Sequence, residues 1–337
     1  MSNRMNRQVR LAARPEGLPK LTDWSIADEP VVVPGPGEVL VKVHYISVDP
    51  AMRGWMNDRP SYIPPVGLGS VMRALTVSKV VESNNDDYRI GDWVVGTDGV
   101  QNYAVSDGSG YMKADTALAP PQTYLGTLGI AGLSAHIGLI EVGQVQAGDT
   151  VLVSGAAGSV GSHVGQIAKI KGGRAVGIAG GPEKCGYLIN ELGFDAAIDY
   201  KNEDLSESIK QTCPDGVDLF FDNIGGGTLN AGLTAINIGA RVVICGAISQ
   251  SNTITGVEGP SNYLALLTRR SRLEGFIFFD FRDKWPAMLK NLTAWRAEGK
   301  LVCREDIAEG PVDIFPDVLL RLFRGDNFGK LMIKLPD

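Results

Sequence analysis

The chain predicts an α/β protein in two parts: a barrel-like domain of mostly antiparallel strands and a doubly wound domain on a parallel sheet. Three observations predict it. The first ~120 residues hold short β-branched runs bounded by Pro, Gly and Asp. From Thr123 onward, six apolar strands alternate with helical patterns. One of those helices opens on a glycine-rich turn, "SGAAGSVGS" (154–162).

In chain order, "QVRLAARP" reads as an edge strand. "EVLVKVHYISV" (38–48), "VMRALTVSKVVES" (71–83), "DWVVG" (92–96) and "QNYAV" (101–105) follow as strands, with "PGPGEV" and "RIGDWVVG" as turn-then-strand signals. "TYLGTLGIAGLSAHIGLIEVG" is an apolar helix whose small residues permit close packing. The alternating series then runs "TVLVSG", "RAVGIAG", "DAAIDY", "VDLFFDNIGG", "ARVVICGAIS" and "SRLEGFIFF", each preceding a helix; such near-continuous apolar strands are expected to be buried on both faces. A last helix, "PDVLLRLFRG", and a terminal strand, "GKLMIKL", are expected to rejoin the first domain. The domains are therefore 1–125 with 305–337, and 126–304. No fixed-period repeat is present.

Composition narrows the function classes. A net charge of −6 gives no general attraction to nucleic acid or anionic membrane. No run of about 18 apolar residues occurs, and the amino-terminal stretch lacks the apolar core of a secretory signal. Four scattered cysteines without a C-x-x-C pair read as reduced thiols, which points to the cytoplasm. The 42 glycines fall in no low-complexity tract, so they mark turns, close packing and ligand-facing backbone.

Gly155, Gly158 and Gly161 form G-x-x-G-x-x-G between a strand and a helix. Bare N–H groups at a helix N-terminus suit a pyrophosphate, and helix–sheet packing alone is the bland alternative. In such a unit an Asp or Glu usually ends the second strand and holds the adenosine ribose. Here "RAVGIAGGPEK" (174–184) runs into two glycines instead. The gap leaves room for a 2′-phosphate, Lys184 can supply charge one turn later, and Tyr200 can donate from the next strand end. This favours NADP over NAD. Asn223 and the backbone after Cys245 end the next two strands and should lie along the cofactor; Cys245 itself reads as a small strand-end residue.

The three histidines, His44, His136 and His163, sit apart, and each reads as structural. A barrel-like domain before a nucleotide domain, with a returning C-terminus, resembles the medium-chain dehydrogenase/reductases. Their alcohol dehydrogenases hold catalytic zinc with a Cys near "SVDPAMR" and a downstream Gly-His-Glu, and this chain has neither. "YISVDPAMRGWM", "GSVMRALTVSKVVES", "SGAAGSVGSHVGQIAKIKGGRAVGIAGGPEK", "LGFDAAIDYKN", "DLFFDNIGG", "CGAISQ", "EGFIFFDF" and "GDNFGK" resemble the zinc-independent alkenal/one double-bond reductases, which include prostaglandin and curcumin reductases.

That resemblance implies a GroES-like, partly open β-barrel as the catalytic domain and a Rossmann dinucleotide domain. It implies NADPH contacts at Gly158, Ser159, Val160 and Gly161, at Lys184 and Tyr200 for the 2′-phosphate, and at Asn223. Further contacts are implied at Cys245, Gly246, Ala247, Ile248, Ser249, Gln250 and Ser251, at Phe276, Ile277 and Phe278 beside the nicotinamide, and at Asn327 near the pyrophosphate. Tyr45 matches a family tyrosine at the mouth of the active site. Thr268 stands where many eukaryotic members carry a Tyr, with a shorter reach; the two are the candidate catalytic donors. No metal site is implied. The expected activity is reduction of the C=C bond of α,β-unsaturated ketones or aldehydes, with a homodimer implied. The rivals are a zinc-independent quinone reductase and a nucleotide-binding protein without turnover. Arg269, Arg270 and Arg272 read as a solvated helix end or a subunit contact.

Overall fold

The computed structural model describes residues 4–257 and 259–337. The chain separates into two compact units: residues up to Leu125 with Glu305–Asn327 and Leu331–Asp337, and Gly126–Arg304 with Phe328–Lys330.

In the first unit β1 (Met5–Leu11) pairs antiparallel with β2 (Trp24–Pro30). β3 (Val39–Ser47) is followed by the short helix α1 (Ala51–Trp55), then β4 (Thr76–Ser83), β5 (Trp93–Gly96), β6 (Tyr103–Ser106) and β7 (Met112–Lys113). The segment 71–75, expected as strand, lies outside β4; Val71 makes an isolated bridge to Arg10 of β1, and the Met72 N–H donates to the Val9 carbonyl. The alternation in β3 buries Val39, Val41 and Val43, which pack with Val80, Val94 and others in two clusters.

The second unit begins with α2 (Ile130–His136), which continues as a π-helical turn over Ile137–Val142. Then follow β8 (Thr150–Ser154), α3 (Ser159–Ile170), β9 (Arg174–Ala179), α4 (Pro182–Asn190), β10 (Ala196–Asp199), α5 (Leu205–Thr212), β11 (Val217–Asp222), α6 (Gly226–Leu233), β12 (Ile236–Ile244), α7 (Leu264–Arg269), β13 (Arg272–Gly275) and α8 (Trp285–Ala297). The six strands form one sheet in the order β10-β9-β8-β11-β12-β13, every pair parallel. Strands β8, β9 and β11 are almost wholly buried, as continuous apolar runs require. β13 differs from expectation. It ends at Gly275, leaving Phe276–Phe278 outside the strand, and all four of its residues are exposed because it is the sheet edge.

The chain then adds β14 (Glu305–Glu309), α9 (Phe315–Arg324) and β15 (Lys330–Lys334). α9 buries Phe315, Val318, Leu319 and Leu322, spaced for one helical face, and ends on Gly325 at φ 69°. The first unit's sheet runs β14-β15-β3-β4-β5-β7, with β6 on β3. One expected boundary needs correction: 305–337 does not group as a whole with the first unit. Phe328–Lys330 belongs to the second unit, because the Gly329 N–H donates to the Ala157 carbonyl (3.0 Å) and Gly329 bridges Gly158.

Candidate functional site

Strand order reverses at β8, so the carboxyl ends of β8, β9 and β11 border the crevice where open α/β sheets take ligands. The turn after β8 is built for close approach. Gly155 adopts φ 58°, and its carbonyl accepts from the Gly158 N–H at 2.9 Å. A Cβ on Gly161 would fall on that same carbonyl and come within 2.8 Å of Ala156 Cα. Gly158 is the extended N-cap of α3 and supplies no side-chain cap, so the first N–H groups of Ser159, Val160 and Gly161 have no capping side chain. Ser159 Oγ is buried there without a hydrogen-bond partner. A buried hydroxyl and uncapped donors at a helix N-terminus together fit a pyrophosphate.

The same helix carries His163, fully buried, whose Nδ1 lies 2.6 Å from the Ser159 carbonyl and whose Nε2 lies 2.9 Å from Thr127 Oγ1. The carbonyl accepts, so Nδ1 carries the proton and Nε2 accepts from the threonine. Burial pushes the imidazole pKa down to about 4. The sequence reading of His163 as structural describes this geometry, though not its placement under the turn.

At the end of β9, Gly180 and Gly181 replace the usual acid. The Gly181 N–H donates to Asp199 Oδ1 (2.7 Å), the Lys201 N–H donates to the same oxygen (3.1 Å), and Asn202 Nδ2 donates to Oδ2 (2.7 Å). These bonds, the Gly181 one foremost, hold the Asp199 carboxyl below its ordinary range. The nearest acid is thus committed to shaping the turn. Tyr200 lies across Gly180: a Cβ there would sit 2.9 Å from its ring and 3.0 Å from Lys201 Cε. Lys184, on the first turns of α4, places Nζ 6.0 Å from the Phe328 ring centre, and the Arg304 guanidinium lies 3.9 Å from the same ring. Lys201 and Arg304 are cations the sequence reading missed. Lys201 was legible as the residue after Tyr200; Arg304 had no local signal.

After β11, Asp222 is fully buried and accepts from Ser154 Oγ (2.6 Å), the Ile224 N–H (3.1 Å) and the Gly225 N–H (2.9 Å). Burial raises its pKa despite those bonds. Asn223 is fixed toward β8, its Nδ2 donating to the Ser154 carbonyl at 2.7 Å. The Cys245 N–H donates to the Asp222 carbonyl, and burial pushes the Cys245 thiol up to about 12, so it stays protonated. Gly246 and Ala247 lead into a short helical turn, Ile248–Gln250, tied back by Ser249 Oγ to the Ile224 carbonyl (2.6 Å); Ser251 Oγ reaches the Ala247 carbonyl. Beyond β13, the Phe276 ring packs against Gly138, Ile277 is extended, and Phe278 stacks on Trp285 with ring centres 5.0 Å apart.

The remaining candidates lie elsewhere in the chain. Thr268 is exposed on α7, and its hydroxyl donates back to the Ala265 carbonyl (3.2 Å). Asn327 groups with the first unit. Tyr45, also in the first unit, sits on β3 opposite Lys334 of β15 and Val77 of β4. Burial raises its pKa, with Lys334 opposing, so the phenol remains a proton donor at neutral pH. Among the described residues, no group of three or more His, Cys, Asp or Glu is placed to hold a metal ion, and no helix is long and apolar enough to cross a membrane. A zinc site of the alcohol-dehydrogenase type therefore does not fit this donor set.

Residues 7–114 match a family described as "N-terminal domain of oxidoreductase", and residues 159–294 match one described as "Zinc-binding dehydrogenase". The chain is 45% identical over 333 residues to the putative NADP-dependent oxidoreductase YfmJ of Bacillus subtilis, covering 98% of each. It is 41% identical to the NADPH-dependent curcumin reductase of Escherichia coli, covering 98% of this chain and 97% of that one. The crystal structure of CurA from Vibrio vulnificus in complex with NADPH superposes with a TM-score of 0.93 at 39% identity, covering 98% and 99% of the two chains. The chain belongs to the medium-chain dehydrogenase/reductases, in the zinc-independent family that includes the alkenal, curcumin and prostaglandin reductases.

Proposed function

We propose that this chain is an NADPH-dependent reductase of the C=C bond of α,β-unsaturated ketones and aldehydes. The observation that carries the cofactor choice is the acid-free Gly180–Gly181 turn, flanked by Tyr200 and Lys201 and followed by Lys184. A carboxylate pointing outward there would repel a 2′-phosphate; Asp199 is instead turned into the loop. Ser159, Val160 and Gly161 would hold the pyrophosphate through their N–H groups, and Asn223 with the backbone of 245–251 would line the remainder. When bound, NADPH supplies the hydride that the alkene β-carbon accepts.

The protein's own task is then to stabilise negative charge on the carbonyl oxygen. Hydrogen-bond donors suffice to stabilise an enolate. Tyr45, which the family resemblance sets at the mouth of the active site, is the donor assigned to that bond; burial raises its pKa, so the phenol keeps its proton. Solvent returns the proton to the α-carbon. The supporting comparison is the naming of close relatives as curcumin and alkenal reductases. We infer also that a second copy pairs with this one along the exposed edge strand β13.

Incubation with NADPH and a panel of simple enones should consume the reduced cofactor and yield the saturated ketone, identified by mass spectrometry. Tyr45→Phe should lower kcat about a hundredfold, as loss of an oxyanion donor does, with the KM for NADPH unchanged. Thr268→Ala, whose hydroxyl is spent on its own helix, should stay within twofold of the parent. Turnover of quinones but of no enone, or bound NADPH with no acceptor at all, would overturn the reading.

A further inference from the structure

In the second unit, Gly138 is a buried residue of the π-helical turn that continues α2, a helical position that disfavours glycine. The Gly143 N–H donates to the Gly138 carbonyl at 2.8 Å, five residues back, which is the hydrogen bond of a π-turn. Two rings press on the bare α-carbon. A Cβ there would lie 2.5 Å from Phe221 Cε2 and 2.8 Å from Phe276 Cε1. The far end of the turn is fastened to the sheet. Arg272 of β13 donates to the Val142 carbonyl and Arg241 Nε of β12 to the Gly143 carbonyl, each at 2.8 Å. A side chain at position 138 would therefore displace the rings rather than the turn.

Phe221 is fully buried on β11, whereas Phe276 is the first residue beyond β13 and is half-buried. The segment 276–278 has two supports. Phe276 rests on Gly138 at one end; at the other, the Trp285 indole N–H donates to the Phe278 carbonyl (3.3 Å) and its ring stacks on Phe278. Strand order relates this segment to a dinucleotide. With the 2′-phosphate at the end of β9 and the pyrophosphate at the end of β8, the nucleotide continues over β11 and β12 toward β13. All six strands are parallel, so 276–278 follows β13 on that same edge of the sheet. β9 and β13 stand four strand spacings apart, about 19 Å, so an extended dinucleotide brings its nicotinamide to this segment.

We propose that Gly138 is a positioning residue: by seating Phe276 it sets how deep the nicotinamide lies, and hence the distance over which hydride passes. This rests on the reductase reading above and adds to it a residue that touches neither cofactor nor substrate. The phosphates hold the nucleotide at β8 and β9, so Gly138 governs placement and not affinity. A shift of about 1 Å at the reacting carbon can cost roughly a hundredfold in rate.

Gly138→Ala should lower kcat for enone reduction by about ten- to a hundredfold. The Kd for NADPH, titrated without an acceptor, should stay within about threefold of the parent, because the phosphate contacts are untouched. The fluorescence emission of bound NADPH, which reports the surroundings of the nicotinamide, should move toward that of the free nucleotide. The alanine can also cost stability, so two further variants approach the contact from the rings. Phe276→Leu removes the ring that Gly138 seats and should repeat both the kcat loss and the emission change. Phe221→Leu opens a void on the other side of Gly138 without touching the segment; it should lower Tm and keep kcat and emission close to the parent's. A purely structural glycine would make the two ring variants alike, or lower Tm with kcat per folded molecule unchanged. Either result overturns the proposal. If the parent reduces no enone, the reductase reading has failed on its own, and the emission decides: the parent's spectrum in both Gly138→Ala and Phe276→Leu overturns the positioning role.

Discussion

Lys184 is the residue on which nucleotide choice turns. Its Nζ sits near the Phe328 face, one helix turn beyond Gly181, with Tyr200 across Gly180. A 2′-phosphate would draw it into a charge-assisted bond worth about 1.5–3 kcal/mol. Lys184→Ala should therefore raise the Kd for NADPH ten- to a hundredfold and leave that for NADH nearly unchanged. Isothermal titration with both nucleotides checks it; equal losses would mean the phosphate lies elsewhere. Much of this corner was legible, because the missing acid, Lys184 and Tyr200 all stand in one stretch of chain. Asp199 was not. Its grip on the Gly181 N–H exists only because β10 lies beside β9, a pairing the sequence does not display locally. Arg304 and Phe328 were hidden for the same reason, being over 100 residues from the turn they approach.

α3 carries a consequence of its own through His163. In the folded chain this imidazole is neutral, with a pKa near 4, whereas an unfolded histidine titrates near 6.5. Its folded pKa is depressed, so the unfolded state binds the extra proton between those values. Stability is complete above about pH 6.5 and is lost as pH falls toward 4, by roughly 3 kcal/mol in total. His163→Gln cannot titrate. Its stability should fall less steeply than the parent's across that window, measured by urea unfolding at stepped pH. Parallel slopes for the two proteins would show that the ring does not carry this linkage. The helix was predicted from its amphipathic pattern, and the histidine as structural. Its bonds to the Ser159 carbonyl and Thr127 needed the fold, because Thr127 lies 36 residues upstream. β13 shows the opposite failure: "SRLEGFIFF" reads as one long buried strand, yet pairing with β12 ends at Gly275 and the aromatic residues turn away to pack on Gly138 and Trp285.

At the scale of the whole molecule, the second unit leaves the edge of its sheet open. Among the described residues β13 pairs only with β12, and the neighbouring α7 exposes Leu264 and Leu267. An open apolar edge invites strand addition unless a partner or a charge blocks it. The edge sequence Arg272-Leu273-Glu274 is self-complementary. In an antiparallel twofold pair centred on Leu273, Arg272 would face the partner's Glu274, and Glu274 the partner's Arg272. A parallel pairing would instead set like charges side by side. Arg272→Glu alone, or Glu274→Arg alone, puts like charges opposite each other across that axis, and each should shift the protein to monomer in sedimentation velocity. The double variant, Arg272→Glu with Glu274→Arg, restores opposite signs at both positions and should recover the dimer. Arg272 also donates to the Val142 carbonyl at 2.8 Å, so its single variant carries a local cost the Glu274 variant does not. Arg272 and Glu274 also pair within their own strand at 3.4 Å, and the double variant restores that pair with the signs exchanged, so thermal unfolding of each variant, which reports the internal bonds, is read beside the sedimentation result. A dimer that persists in both single variants would place the contact on another face.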